Sequence, residues 1–307
     1  MKIITQDDSY DLRVCDFFPS AAVVQDGTFA VLDEVDTTTP GSLVYCQNIH
    51  YLKKAIANPY ISAFLCTESL ANEYSSLGKA VIVADDPRRQ FFEVYVRLKE
   101  AGKLSPKIDF GIGNNCQVHA SAVISPKSKL GDRIVVGANT VIEDYCCIGN
   151  DVYIGPNAVI GAEGLLTVRE PDGRLTLIKH AGGVEIGDGC QILAGAVIAK
   201  SLFRRFTHIG INTQIGILTN VGHGAFIGDS CVISGNSVIA GRSKLGDKVW
   251  VGASASVAQG LNVGEGAQIK MGSVVVSDIN PNAVVSGNFA VNHRVTMARY
   301  IRGASRD

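Results

Sequence analysis

The chain has 307 residues, enough for one large or two modest domains, with 46% hydrophobic residues and a formal net charge of −1. So balanced a charge gives no electrostatic case for nucleic acid or an anionic membrane surface. No apolar run is long enough to span a bilayer as a helix, and the opening Met1-Lys2-Ile3-Ile4-Thr5-Gln6-Asp7-Asp8 does not read as a signal peptide, so a cytoplasmic protein without a transmembrane segment is expected.

Residues 1–104 show no long-period pattern. Ala63-Phe64-Leu65-Cys66 and Ala80-Val81-Ile82-Val83-Ala84 read as buried strands. Residues 87–103 read as an amphipathic helix with Phe91, Val94, Tyr95 and Leu98 on one face, closed by Gly102. A small α/β domain over 1–104 follows. Within it, Tyr45-Cys46-Gln47-Asn48-Ile49-His50-Tyr51 puts two tyrosines and an asparagine at a strand–helix junction. Two rings can sandwich a flat base while an amide reads its polar edge. The same residues also suit two core tyrosines and a helix-capping asparagine.

From Ile112 a six-residue beat takes over. An aliphatic residue falls on every sixth position from Ile112 to Ile160, then on Ile186, Ile192 and Ile198, then from Ile209 to Val275. A period of six fits neither a helix nor simple strand alternation. It fits a short strand and a turn, stacked into a solenoid. Calling the aliphatic residue position i, position i−2 is small almost throughout, as at Cys116, Thr140, Cys146, Ala158, Cys190, Thr213, Ala225, Cys231 and Ala267. Residues two apart on a strand share a face, so both point inward and fill a narrow interior. Gly, Asn and Asp at i+1 and i+2 are expected to turn the corners through positive φ. Three hexads close a triangular coil, giving about eight coils and a prism about 40 Å tall at about 4.8 Å per coil. The solenoid is placed at 105–282.

The beat breaks twice: at an inserted loop between Ile160 and Ile186, with a turn at Pro171-Asp172-Gly173, and between Ile198 and Ile209, where the spacing is eleven. Loops on a rigid scaffold are where function concentrates. Residues 283–307 leave the solenoid and end in a basic segment, 294–306, read as a short helix. Four of the eight cysteines, Cys116, Cys146, Cys190 and Cys231, hold the inward i−2 position, and no CxxC pair occurs; a reduced compartment fits.

Of six histidines, His223 stands out. It lies at i+2 after Val221, at a corner, between Gly222 and Gly224. Small neighbours leave the imidazole open to a groove, where it can take a proton from an amine or hydroxyl during acyl transfer. An incidental surface histidine at a turn is the alternative. No metal is expected. His208 and His119 sit in other phases, and no HxxxxH pair exists to build a zinc site. No GxSxG elbow offers a nucleophile.

Three motifs in order carry a resemblance across nearly the whole chain. Tyr45-x-x-Asn48-x-x-Tyr51 comes first. The loop elements Ile160-Gly161-Ala162-Glu163-Gly164, Ile178-Lys179-His180-Ala181-Gly182 and Val184-Glu185-Ile186-Gly187-Asp188 follow. Val221-Gly222-His223-Gly224-Ala225-Phe226-Ile227-Gly228-Asp229 completes the set. Together they resemble the UDP-3-O-acylglucosamine N-acyltransferases of lipid A (lipopolysaccharide) biosynthesis, within the hexapeptide-repeat acyltransferases. The resemblance implies a left-handed parallel β-helix with a small N-terminal α/β domain and a short C-terminal helix, assembled as a homotrimer. It implies His223 as general base, Tyr45, Asn48 and Tyr51 at uridine, His180 in the substrate loop, and a backbone N–H such as that of Gly241 at the oxyanion. It also implies an acyl group carried on phosphopantetheine, with acyl carrier protein as partner and no permanently bound cofactor.

The chain departs from that family in places. It has Ile198-Ala199-Lys200-Ser201 where Ile-Asp-Arg-Gly is common, Gly216 where an Asp usually stands seven residues before the catalytic histidine, and Gln259-Gly260-Leu261 in place of Asn-Gly-His. Two other readings therefore stand beside the first. One is an N-acetyltransferase that uses coenzyme A and a nucleotide-linked amino sugar. The other is a hexapeptide-repeat binding protein without catalysis. The basic tail, with Arg294, Arg299, Arg302 and Arg306, suits an acidic carrier protein and equally the 3′-phosphate of coenzyme A.

Overall fold

The computed structural model describes residues 11–72, 78–287 and Arg294. The N-terminal unit is built on a five-stranded sheet. Strands Val31–Leu32, Ser42–Tyr45, Ile61–Cys66 and Ala80–Val83 run parallel, and Val23–Gln25 pairs antiparallel with the last. Helices α1 (Ile49–Ala57), α2 (Glu68–Ala71) and α3 (Pro87–Glu100) connect or cover it. In α3 the Asp86 carboxylate caps the Arg89 amide, Pro87 occupies the first turn, and Phe91, Val94, Tyr95 and Leu98 are buried. The helix ends at Glu100, short of Lys103. The Lys103 amide reaches back to the Leu98 carbonyl at 2.9 Å, and Gly102 takes the left-handed φ of +71° that this closure needs.

The rest is a left-handed parallel β-helix of three sheets, with eight, eight and nine strands. Corresponding residues in successive plain coils lie eighteen apart, as in Ile124↔Ile142↔Ile160. The inward residues from Ile142 through Ile269 are almost completely buried, and so are the small i−2 residues between them. Most hydroxyls at i−2 are satisfied inside the prism; that of the buried Ser273 has no partner among the described residues. Thr140 and Thr213 donate at 2.8 Å to Gly155 and Gly228 carbonyls, and Ser237 donates at 3.0 Å to that of Gly252.

The corners turn differently from expectation. Left-handed φ falls at i+3, on Asn115, Asn139, Asn157, Asn212 and Gly224 among others. The glycine at i+1 serves close approach instead: a Cβ on Gly137 would meet the Pro156 nitrogen of the neighbouring coil at 2.6 Å.

Both breaks in the beat emerge from one corner. Strands Val159–Ala162, Val197–Ala199, Asn220–Val221, Val238–Ile239 and Ser256–Val257 share one sheet. Each turns into a strand of the same second sheet: Gly183–Ile186, Phe206–Ile209, Phe226–Ile227, Lys244–Leu245 and Asn262–Val263. The inserted loop, the 200–205 turn, His223, Arg242 and Gln259 therefore stack along a single edge of the prism.

The N-terminal unit docks on that edge. The inserted loop folds as a hairpin, Thr167–Arg169 with Leu175–Leu177, turning at Gly173 as predicted. Its Val168, with Ile178, Ala181, Leu202 and Phe203, joins the core around α3. The Tyr95 hydroxyl meets the Leu202 carbonyl at 2.7 Å and the Lys179 carbonyl at 3.1 Å, and Arg88 donates to the Thr167 carbonyl at 2.8 Å. The tail helix expected at 294–306 lies outside the described residues apart from Arg294. No helix among the described residues is long and apolar enough to cross a membrane.

Candidate active site

His223 sits at the i+2 position of its turn, half-buried. The next turn along the edge has a glycine at i+2, Gly241, and the imidazole lies over it: a Cβ there would stand 2.7 Å from His223 Nε2 and 2.9 Å from Cδ2. Gly224, at φ +64°, closes the turn, and its amide donates to Thr207 Oγ1 at 2.8 Å. Burial first, then the neighbouring His180 and Arg242, push the His223 pKa down to about 4. At neutral pH its ring is uncharged and can accept a proton.

Around Gly241 the coil-to-coil ladder runs through Ala240, whose amide donates to Val257 at 3.0 Å, and Arg242, whose amide donates to His223 at 2.9 Å. The Gly241 amide has no place in it among the described residues. The next residue in its phase, Gln259, has a carboxamide that, once turned, accepts from Arg242 Nε at 3.1 Å.

His180 comes to His223 from the inserted loop. The two rings lie 5.2 Å apart between centroids, at 61°, edge to face. The His180 side chain is fully buried, and neither ring nitrogen has a hydrogen-bond partner. Behind it stands Glu163. One carboxylate oxygen accepts from the His180 amide at 2.8 Å and lies 3.5 Å from its Nδ1; the other meets Lys200 Nζ at 3.0 Å. Burial would push the Glu163 carboxyl up, but His180 and Lys200 hold it down at about 2. Lys200 comes from the shortened second break. Glu163 and Lys200 were visible in the sequence only as loop residues; no spacing rule pairs positions separated by a hairpin.

The tyrosine motif lies on the facing unit. Asn48 caps α1: its Oδ1 accepts from the amides of His50 at 3.0 Å and Tyr51 at 3.2 Å. Tyr51 is exposed, with its ring edge-on to His50. Tyr45 ends its strand half-buried, packed on Phe91 at 5.0 Å and Phe92 at 6.0 Å. Burial raises its hydroxyl pKa against the pull of Arg88, within the fields of Glu34 and Arg242. Tyr45 and Tyr51 thus differ in setting, one in an aromatic cluster and one in solvent.

Two cross-domain pairs fasten this unit beside His223. Glu34 Oε1 accepts from Arg242 Nη1 at 2.6 Å. The buried Asp33 pairs with Arg205, which also reaches Thr37 Oγ1 at 3.0 Å. No local pattern signals these pairs, because their partners are separated by 208 and 172 residues. Elsewhere, His119 bonds Ser121 Oγ at 2.9 Å on an exposed turn, and His208 stacks on Phe226 at 4.6 Å beside Glu185.

Comparison with known proteins adds the following. Residues 111–144 match the family model described as bacterial transferase hexapeptide (six repeats). Residues 177–200 and 244–277 match the hexapeptide repeat of succinyl-transferase. No curated protein matches the chain. Among solved structures, a UDP-N-acetylglucosamine acyltransferase from Campylobacter jejuni is 27% identical over 60% of this chain and 77% of its own, with a TM-score of 0.45. One from Bacteroides fragilis is 24% identical over 64% of this chain and 75% of its own, with a TM-score of 0.47. The perosamine N-acetyltransferase of Caulobacter crescentus is 17% identical over 80% and 92%, with a TM-score of 0.22. The family-model matches speak for the repeat and not for the narrower resemblance to UDP-3-O-acylglucosamine N-acyltransferases. The prism is a hexapeptide-repeat solenoid of the kind found in bacterial transferases.

Proposed function

We propose that the chain is an N-acyltransferase that moves an acyl group from a phosphopantetheine thioester to the amine of a UDP-linked glucosamine derivative. The observation that carries this reading is the uncharged His223 imidazole, half-buried over Gly241, on the prism edge where the N-terminal unit is pinned through Glu34 and Arg242.

In this reading the substrate amine attacks the thioester carbonyl, and His223 takes its proton. The C–N bond forms, the C–S bond breaks, and the proton passes from His223 to the departing thiolate. The Gly241 amide, outside the ladder, is the donor offered to the developing oxyanion. A diphosphate held nearby raises the His223 pKa from its low value toward neutrality, which strengthens it as a base. The uracil sits at the tyrosine rim. Tyr51 supplies an exposed ring, and because Asn48 Oδ1 is committed to the helix cap, its Nδ2 is the edge that reads the base. The preferred donor is a hydroxyacyl chain on acyl carrier protein.

The assembly belongs to the same proposal. The outward residues of one sheet include Val123, Val238 and Val274, all exposed in the single chain, and a homotrimer would cover such a face. Light scattering should give a trimer; a stable monomer at micromolar concentration would remove any site shared between subunits. The direct test of function incubates the protein with UDP-3-O-acylglucosamine and 3-hydroxyacyl carrier protein. An N-acylated product that forms with the parent and disappears with His223→Ala supports the proposal. Equal activity of the two removes His223 from it.

A further inference from the structure

The His180 side chain is at odds with its surroundings. An imidazole with both nitrogens buried and unpartnered costs free energy that an aliphatic residue would not. The loop nevertheless invests in it. Glu163 receives its backbone amide and stands 3.5 Å from Nδ1, and Lys200, itself nearly buried, holds Glu163 from the other side. Tyr95 of α3 pins the neighbouring Lys179 carbonyl. Space is cleared as well. A Cβ on Gly164 would come within 2.7 Å of His180 Nε2 and 3.3 Å of His223 Cβ. Among the described residues no carboxylate bonds the His223 ring; His180 and the Gly241 backbone are what it rests against.

We propose that His180 is the positioning residue for His223, a buried wall set by Glu163 and Lys200 that holds the reacting imidazole over Gly241. The proposal rests on His223 being the base. The groups facing His223 are His180 from the inserted loop and Arg242 from the next turn, with Glu163 and Lys200 behind the first and Glu34 behind the second. The His180 ring fixes one side of the His223 ring edge to face. A smaller side chain lets His223 swing off Gly241, and misplacement of about 1 Å can cost about 10²-fold in rate. A flat apolar ring keeps the wall and loses only the nitrogens and their coupling to Glu163.

The test pairs kinetics with a readout that needs no activity. Acyl transfer from 3-hydroxyacyl carrier protein to UDP-3-O-acylglucosamine is followed for the parent, His180→Ala, His180→Phe, Glu163→Gln and His223→Ala. The His223 ring protons are titrated by NMR in the same proteins, except the last. We expect His180→Ala to lower kcat by about 10–10²-fold with KM within about twofold, and to move the His223 titration to higher pH. His180→Phe should recover much of kcat. Glu163→Gln should fall between the two while leaving thermal stability near that of the parent. If His180→Ala leaves kcat and the His223 titration unchanged, the proposal is overturned. It is also overturned if the loss tracks thermal stability across all variants, since His180 is then only a core residue. If His223→Ala is as active as the parent, the base assignment fails instead. The titration then still shows whether His180 sets the His223 ring.

Discussion

Two corners of the same prism show what the repeat does alone and what has been added to it. At the plain corner, the i+2 position carries Asn114, Asp132, Asn150, Asp188, Ile211, Asp229 and Asp247, all but Ile211 an amide or an acid. From Asp132 onward each carboxylate or carboxamide accepts the i+2 amide of the preceding coil, as from Asn114 to Asp132 at 2.7 Å, from Asp132 to Asn150 at 2.9 Å and from Asp229 to Asp247 at 2.9 Å. The ladder satisfies donors that the strands leave over. At the corner where the loops leave, the same position carries Lys200, His223, Gly241 and Gln259 in the later coils. The ladder stops there, the loops emerge there, and the N-terminal unit docks there. One corner uses its i+2 residues for stability. The other gives that up, leaving an imidazole over an amide outside the ladder.

The largest expected effect separates the corners outright. His223→Ala should cut turnover by about 10²–10⁴-fold, the range for loss of a general base, with little change in thermal stability. His119→Ala, on an exposed turn, should be close to neutral in the same assay. Equal losses from both would erase the contrast. Next comes Gly241→Ala. The added methyl would stand 2.7 Å from His223 Nε2 and displace the ring, so kcat should fall by about 10²-fold while the melting temperature holds. A variant of parental rate would show that the ring position over Gly241 is not used.

A smaller effect sharpens the link to the N-terminal unit. Tyr51→Ala should weaken UDP binding by about 1–3 kcal/mol in a calorimetric titration, the range for loss of one stacking ring. Unchanged affinity would return Tyr51 to being an ordinary exposed residue of the first helical turn. The smallest expected effect is a flat line. Burial, His180 and Arg242 lower the His223 pKa to about 4, and the base must be unprotonated to act. The acid limb of kcat/KM, which reports the free enzyme, should therefore lie near pH 4 rather than 6.5, leaving the rate level between about pH 5.5 and 7.5. A limb near 6.5 would mean that His223 is more solvated than its place on this corner implies.

Much of this was legible in the residues. The beat named the solenoid and the inward set, because a packed interior tolerates only aliphatic residues at i and small ones at i−2. Phe91, Val94, Tyr95 and Leu98 gave α3 its buried face, and both breaks marked loops. Other features were not legible. Glycine at i+1 looks in the sequence like a φ device, whereas stacking of coils at close range requires it, and φ turns positive two residues later. That both loops leave from the His223 corner emerges only when each strand is assigned to its sheet. The pairs Asp33–Arg205 and Glu34–Arg242, and the Lys200–Glu163–His180 set, depend on how the N-terminal unit and the hairpin fold back. No local period encodes that. The Tyr45 motif admits two readings in the sequence, and each has a foothold: Tyr45 packs on Phe91 and Asn48 caps α1, while Tyr51 stays exposed.

In the proposed function, the altered corner transfers an acyl group to the amine of a UDP-amino sugar. The most direct measurement is mass spectrometry of UDP-3-O-acylglucosamine after incubation with the protein and a mixture of 3-hydroxyacyl carrier protein and acetyl-CoA. A mass gain of one hydroxyacyl group on nitrogen is expected, absent with His223→Ala. An acetylated product as the major species would contradict the donor assignment, and an unmodified sugar with both donors present would contradict the proposed function itself.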